Sequence, residues 1–142
     1  MKKLSYLIAF ICLVNLSSSV NAQIAGDKDD SNVKTTDIIE VYYFHNTRRC
    51  ATCNAIEDVT LETLKESYPT QFASGEITFV SLNLEEADGE KIARDLNVSG
   101  QTLLLVLNGK KKDLTNDAFM YAKSSPDKLK KKLNKVIGSV YN

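Results

Sequence analysis

Cys50 and Cys53 stand with two residues between them in "FHNTRRCATCNAIE" (residues 44–57), directly behind Arg48 and Arg49. A pair of thiols at this spacing can act as a redox couple, as half of a metal clip or as a structural staple. Redox work needs a thiolate, and cationic neighbours such as Arg48 and Arg49 favour one. A structural zinc site takes about four ligands, and this motif supplies only two of them. The single histidine, His45, lies five residues before Cys50 and reads as a strand-end residue rather than a ligand. A permanent disulfide here would close a very short loop and stabilise little through chain entropy. The redox couple is therefore the favoured reading. A soft-metal or metalloid clip made by the two thiols, with or without His45, is the alternative.

The third cysteine, Cys12, has a different setting. Residues 1–22, "MKKLSYLIAFICLVNLSSSVNA", begin with Lys2 and Lys3, continue with an apolar run from Leu4 to Leu16 and end in small and polar residues. That three-part pattern predicts a secretory signal cleaved after Ala22. The apolar run falls short of the roughly 20 residues that a spanning helix requires. Ile11 precedes Cys12 where a lipidation signal calls for a small residue, which places Cys12 in the discarded segment. The mature chain, residues 23–142, then carries only the Cys50–Cys53 pair. Export, with a periplasmic destination, matches a compartment where disulfides persist.

The elements that must position the pair can be read around it. Residues 23–36 are polar and predict a flexible leader. "DIIEVYYFH" (37–45) is rich in β-branched and aromatic residues and predicts a buried strand. A helix follows from about Cys50 to Ser67, with Ile56, Val59 and Leu64 on one side and Pro69 helping to stop it. Residues 76–84 predict a second strand. Residues 88–98 predict a short helix with Ile92, Ala93 and Leu96 inward. Residues 101–107 and 110–115 predict two strands joined at Asn108-Gly109, a strong hairpin signal. The last helix has Ser125 as its cap, Pro126 in its first turn, and Leu129, Leu133, Val136, Ile137 and Val140 on one face. Residues 116–124 give no clear pattern. Cys50 thus falls where a strand gives way to a helix, where unpaired N–H groups and the helix dipole stabilise a thiolate. Cys53, one turn on, lies within reach behind it, so that an outer attacking sulfur and an inner resolving sulfur can exchange disulfides.

With "VYYFHNTRRCATC" after the first strand, this order of elements, and "LNVSGQTLLLVLNGK", residues 37–140 resemble the thioredoxin-like family. The resemblance implies an α/β fold: a mixed sheet of about four strands in the order β-α-β-α-β-β-α, flanked by helices, filling a domain over residues 37–142. It also implies dithiol–disulfide exchange with Cys50 as nucleophile and Cys53 as resolver, without a cofactor or metal. Three departures mark the sequence. The family's Trp-Cys-Gly-Pro-Cys is replaced by Arg49-Cys50-Ala51-Thr52-Cys53. The family's cis-proline before the residue matching Thr102 is replaced by Gln101. A cis bond at a non-proline residue costs about 2.5–4 kcal/mol, so a trans bond is expected there. That proline contacts substrates and discourages metal binding in the family, so Gln101 and Thr102 join Arg48 and Arg49 as candidates for pKa tuning or substrate contact. The family's buried acid is also missing: the strand offers Val41, Tyr42, Tyr43 and Phe44. Glu57 could serve only through water and reads more simply as a solvated surface carboxylate, and Tyr42 and Tyr43 read as strand packing.

Composition bounds the function. The chain has 142 residues, 43% of them hydrophobic and 25% charged, which suits one small globular domain. The formal net charge of zero gives no sign of nucleic acid. The charge is unevenly spread: residues 23–100 hold 7 Lys/Arg against 15 Asp/Glu, and residues 101–142 hold 9 against 3. Solvated faces account for this most simply, and a surface for an acidic partner or an anionic membrane is the sharper reading. The expected partners are protein thiols and disulfides, met as a monomer. A membrane electron-transfer partner is added if the protein works as a reductase. The direction of exchange depends on reduction potential, which sequence does not carry.

Overall fold

The computed structural model describes residues 38–141, so the expected signal segment, the whole of the leader and Cys12 lie outside the described residues. The first strand, β1, runs Ile39–His45. Its alternation decides how the sheet is packed. Ile39, Val41 and Tyr43 are fully buried on one face, while Phe44 is buried on the other. Helix α1 (Ala51–Ser67) follows, and a break at Tyr68 separates it from the short α2 (Pro69–Ser74). Pro69 therefore ends one helix and occupies the first turn of the next, where its missing N–H does no harm. Strand β2 (Ile77–Asn83), helix α3 (Ala87–Asp95), strands β3 (Thr102–Leu107) and β4 (Lys110–Asp113), and helices α4 (Thr115–Tyr121) and α5 (Pro126–Gly138) complete the order.

The sheet order is β2-β1-β3-β4. β1 pairs in parallel with β2 and antiparallel with β3, and β3 pairs antiparallel with β4. A mixed four-stranded sheet flanked by helices is the expected thioredoxin-like α/β architecture. The expected order gains α2 and α4, which the sequence pattern had not separated from their surroundings.

One face of the sheet builds the main core. Ile39, Val41 and Tyr43 of β1 and Leu103 and Leu105 of β3 meet Ile56, Val59 and Leu64 of α1 and Leu129, Leu133 and Ile137 of α5. The α5 stripe thus buries as its spacing requires, with Val136 and Val140 partly buried against the same cluster. Ser125 sits at the N-cap of α5, but its side chain makes no capping hydrogen bond, contrary to expectation. Of the three α3 residues expected inward, Ala93 is buried and Ile92 and Leu96 are half-buried. Gly89 of α3 lies so close to β2 that a Cβ would collide with the Asn83 carbonyl. The β3–β4 turn has Asn108 at φ 49° and Gly109 at φ 79°, the left-handed pair that a tight hairpin turn requires. β4 itself is fully exposed and forms a sheet edge made of Lys110, Lys111, Lys112 and Asp113.

Candidate functional site

Cys50 is the N-cap residue of α1, with extended backbone at φ −88° and ψ 167°. Its sulfur accepts a hydrogen bond from the Cys53 backbone N–H at 3.3 Å, as a capping oxygen would. Cys50 is exposed and Cys53 is 3% exposed. Their sulfurs are 2.7 Å apart. The hydrogen bond from the Cys53 thiol holds the Cys50 thiol below its ordinary value of 9.0, and the backbone N–H of Cys53 lowers it further. The backbone N–H groups of Thr52 and of Cys50 itself act in the same direction. The thiolate is thus stabilised by the start of α1 and by the second cysteine.

The two arginines take separate positions. Arg48 is exposed. Arg49 turns inward: its guanidinium pairs with the Glu57 carboxylate, donates to the Cys53 carbonyl at 3.4 Å and lies 5.6 Å above the Tyr43 ring. The groups that lower the Cys50 thiol are the Cys53 side chain and the backbone N–H groups at the start of α1. Glu57 is committed to Arg49, and together they close one side of the pair.

Gln101 does reach the site. The Cys53 thiol donates to Gln101 Oε1 at 3.2 Å. The single Cys53 proton therefore has two acceptors within reach, the Cys50 sulfur and the Gln101 amide. The described peptide bonds are all trans, including that preceding Gln101. Thr102 opens β3 directly beyond and turns its hydroxyl to the Gly100 carbonyl at 2.9 Å. Gln101 also lines a cleft of about 540 Å³ with Asn46, Leu84, Arg94, Val98 and Phe119. His45 does not join the sulfurs in a ligand set: its Nδ1 lies 3.0 Å from the Asn46 carbonyl, and no group of three or more metal-ligating side chains occurs among the described residues.

Tyr43 is the residue at the site that sequence reasoning did not single out. It packs in the core as expected, yet its hydroxyl is buried without a hydrogen-bond partner beside Cys53 and Arg49. Burial raises its pKa most, the neighbouring Cys53 sulfur adds to that, and the Arg49 guanidinium works against it. The signal was present in the strand's phase: Tyr43 follows Ile39 and Val41 at period two, so it faces inward at the end where the cysteines enter α1.

No family model matches the chain, and the search of curated proteins finds no match. Among solved structures, thioredoxin O2 from Arabidopsis thaliana in its oxidised state aligns with 30% identity and a TM-score of 0.41 over 53% of this chain and 59% of that one. Thioredoxin f2 from Chlamydomonas reinhardtii aligns with 24% identity and a TM-score of 0.45 over 70% of this chain and 79% of that one. A malarial protein aligns with 20% identity and a TM-score of 0.39 over 58% of this chain and 93% of that one. These are partial likenesses, and the fold assignment stands on the strand order and strand directions.

Proposed function

We propose that this protein is an exported thiol–disulfide oxidoreductase that exchanges a Cys50–Cys53 dithiol or disulfide with partner proteins. The observation that carries this reading is an exposed sulfur at the first turn of α1, held toward its thiolate, with a buried second sulfur 2.7 Å behind it. In the reducing direction the Cys50 thiolate attacks one sulfur of a partner disulfide. A mixed disulfide forms and the partner's other sulfur leaves as a thiolate. Cys53 then attacks Cys50 Sγ, the intramolecular disulfide forms, and the partner departs as a dithiol with both electrons. The oxidising direction is the same sequence reversed. A reductase would draw its electrons from a membrane partner.

Residues 1–22 serve as the export signal, residues 23–36 as the leader and residues 37–142 as the working domain, in the periplasm. Mass spectrometry of protein recovered after export should give Gln23 as the first residue. Retention of Met1 would remove export from the reading.

The roles are tested with a model disulfide peptide. Cys50→Ser should abolish exchange, and Cys53→Ser should accumulate a mixed disulfide with the peptide. Faster alkylation of Cys53 than of Cys50 in the reduced protein would overturn the assignment.

A further inference from the structure

Two buried polar atoms lack partners at the inner side of the cysteine pair: the Tyr43 hydroxyl and Arg49 Nε. Tyr43 is fully buried, its ring lies under the Arg49 guanidinium at 5.6 Å, and Arg49 is itself fastened to the Cys53 carbonyl and to Glu57. An unpartnered buried hydroxyl is costly, and native proteins rarely keep one. Its polar neighbours are the Cys53 sulfur and the Arg49 guanidinium. The guanidinium carries only donors, so the sulfur is the acceptor available to the hydroxyl proton. A neutral thiol accepts weakly, whereas a thiolate accepts a charge-assisted bond. A charged Cys53 sulfur would therefore give the hydroxyl its missing acceptor.

We propose that the Tyr43 hydroxyl donates a hydrogen bond to the Cys53 thiolate and so promotes the second step of exchange, the attack of Cys53 on Cys50. This rests on the redox reading above. In that step the mixed disulfide between Cys50 and the partner breaks, the Cys50–Cys53 bond forms, and the proton lost from Cys53 ends on the departing partner thiolate. Tyr43 keeps its own proton throughout. It works as a donor to the charged sulfur, where a buried carboxylate would work as a proton acceptor. The Gln101 amide accepts the proton of the Cys53 thiol, and the Tyr43 hydroxyl would donate to the sulfur once that proton has left.

The test uses the full chain carrying Cys12→Ser, so that Cys50 and Cys53 are the remaining thiols. The reduced protein is mixed with a chromogenic aryl disulfide in stopped flow. Attack by Cys50 releases one equivalent of aryl thiol, and resolution by Cys53 releases a second. In Tyr43→Phe the first phase should keep its rate and the second should slow about tenfold or more, the loss expected for one hydrogen bond to a charged group. Equal slowing of both phases, or two phases at the unsubstituted rates, overturns the role of Tyr43. Failure of the protein with Tyr43 intact to release a second equivalent overturns the redox reading itself. A second variant covers loss of fold in Tyr43→Phe: 3-fluorotyrosine in place of Tyr43 keeps the packing and makes the hydroxyl a stronger donor. It should speed the second phase, and an unchanged or slower second phase overturns the proposal.

Discussion

At the scale of single residues, the site works by giving two chemically identical side chains different surroundings. Cys50 sits in solvent at a helix start, and Cys53 sits against a tyrosine, an arginine-held carbonyl and an amide. The lowered Cys50 value has a consequence for stability. A folded-state value below the unfolded one adds stability that is fully present above the unfolded thiol's range and is lost as pH falls through the folded value. Reduced protein should therefore gain stability over Cys50→Ser between neutral pH and pH above 9.0, as read from urea midpoints at the two ends. An advantage that grows toward acid would contradict the sign of the shift. Gln101 leads to a second expectation. Its amide covers Cys53 as well as accepting from it, so Gln101→Ala should raise the alkylation rate of Cys53 several-fold while leaving that of Cys50 nearly unchanged. Peptide mapping after a timed alkylation distinguishes the two sulfurs.

At the scale of elements, the parts that carry a pattern were legible and the parts that carry none were not. β1 was visible because it is dense in β-branched and aromatic residues, and α5 because its apolar residues recur on one face. The hairpin was visible through Asn108-Gly109, although Lys110–Asp113 alone has no apolar residue to mark a strand. α2 buries no residue and α4 buries only Ala118, so no stripe announced them. The cysteines were placed correctly at the strand–helix junction because sequence order alone puts them there. The partners of Cys53 come from β1 and from the residue just before β3, 48 residues away for Gln101, and only the folded sheet brings them to it. The same logic ranks substitutions. Leu133→Ala removes a fully buried side chain between α5 and the sheet and should cost about 2–5 kcal/mol by denaturant unfolding. Met120→Ala on the exposed side of α4 should stay within about 0.5 kcal/mol. Gly89→Ala drives a methyl into the Asn83 backbone and should cost about 1–3 kcal/mol.

At the scale of the whole molecule, the uneven charge of the sequence is partly consumed by the fold. Lys130 of α5 reaches Glu62 and Glu66 of α1, and Lys132 reaches Asp117 of α4, so the basic helix is tied to acidic partners inside the domain. The lysines of β4 have a different use. An open sheet must end somewhere, and its last strand offers unpaired backbone groups to any passing chain. Here that last strand is Lys110-Lys111-Lys112, fully exposed. A second molecule laying its own β4 alongside in parallel and in register would set Lys110, Lys111 and Lys112 against their own copies. An edge strand made of lysines discourages this kind of pairing. Replacing the three lysines by threonine would keep strand propensity and remove the repulsion, and light scattering at low salt should then show association that the unsubstituted chain resists.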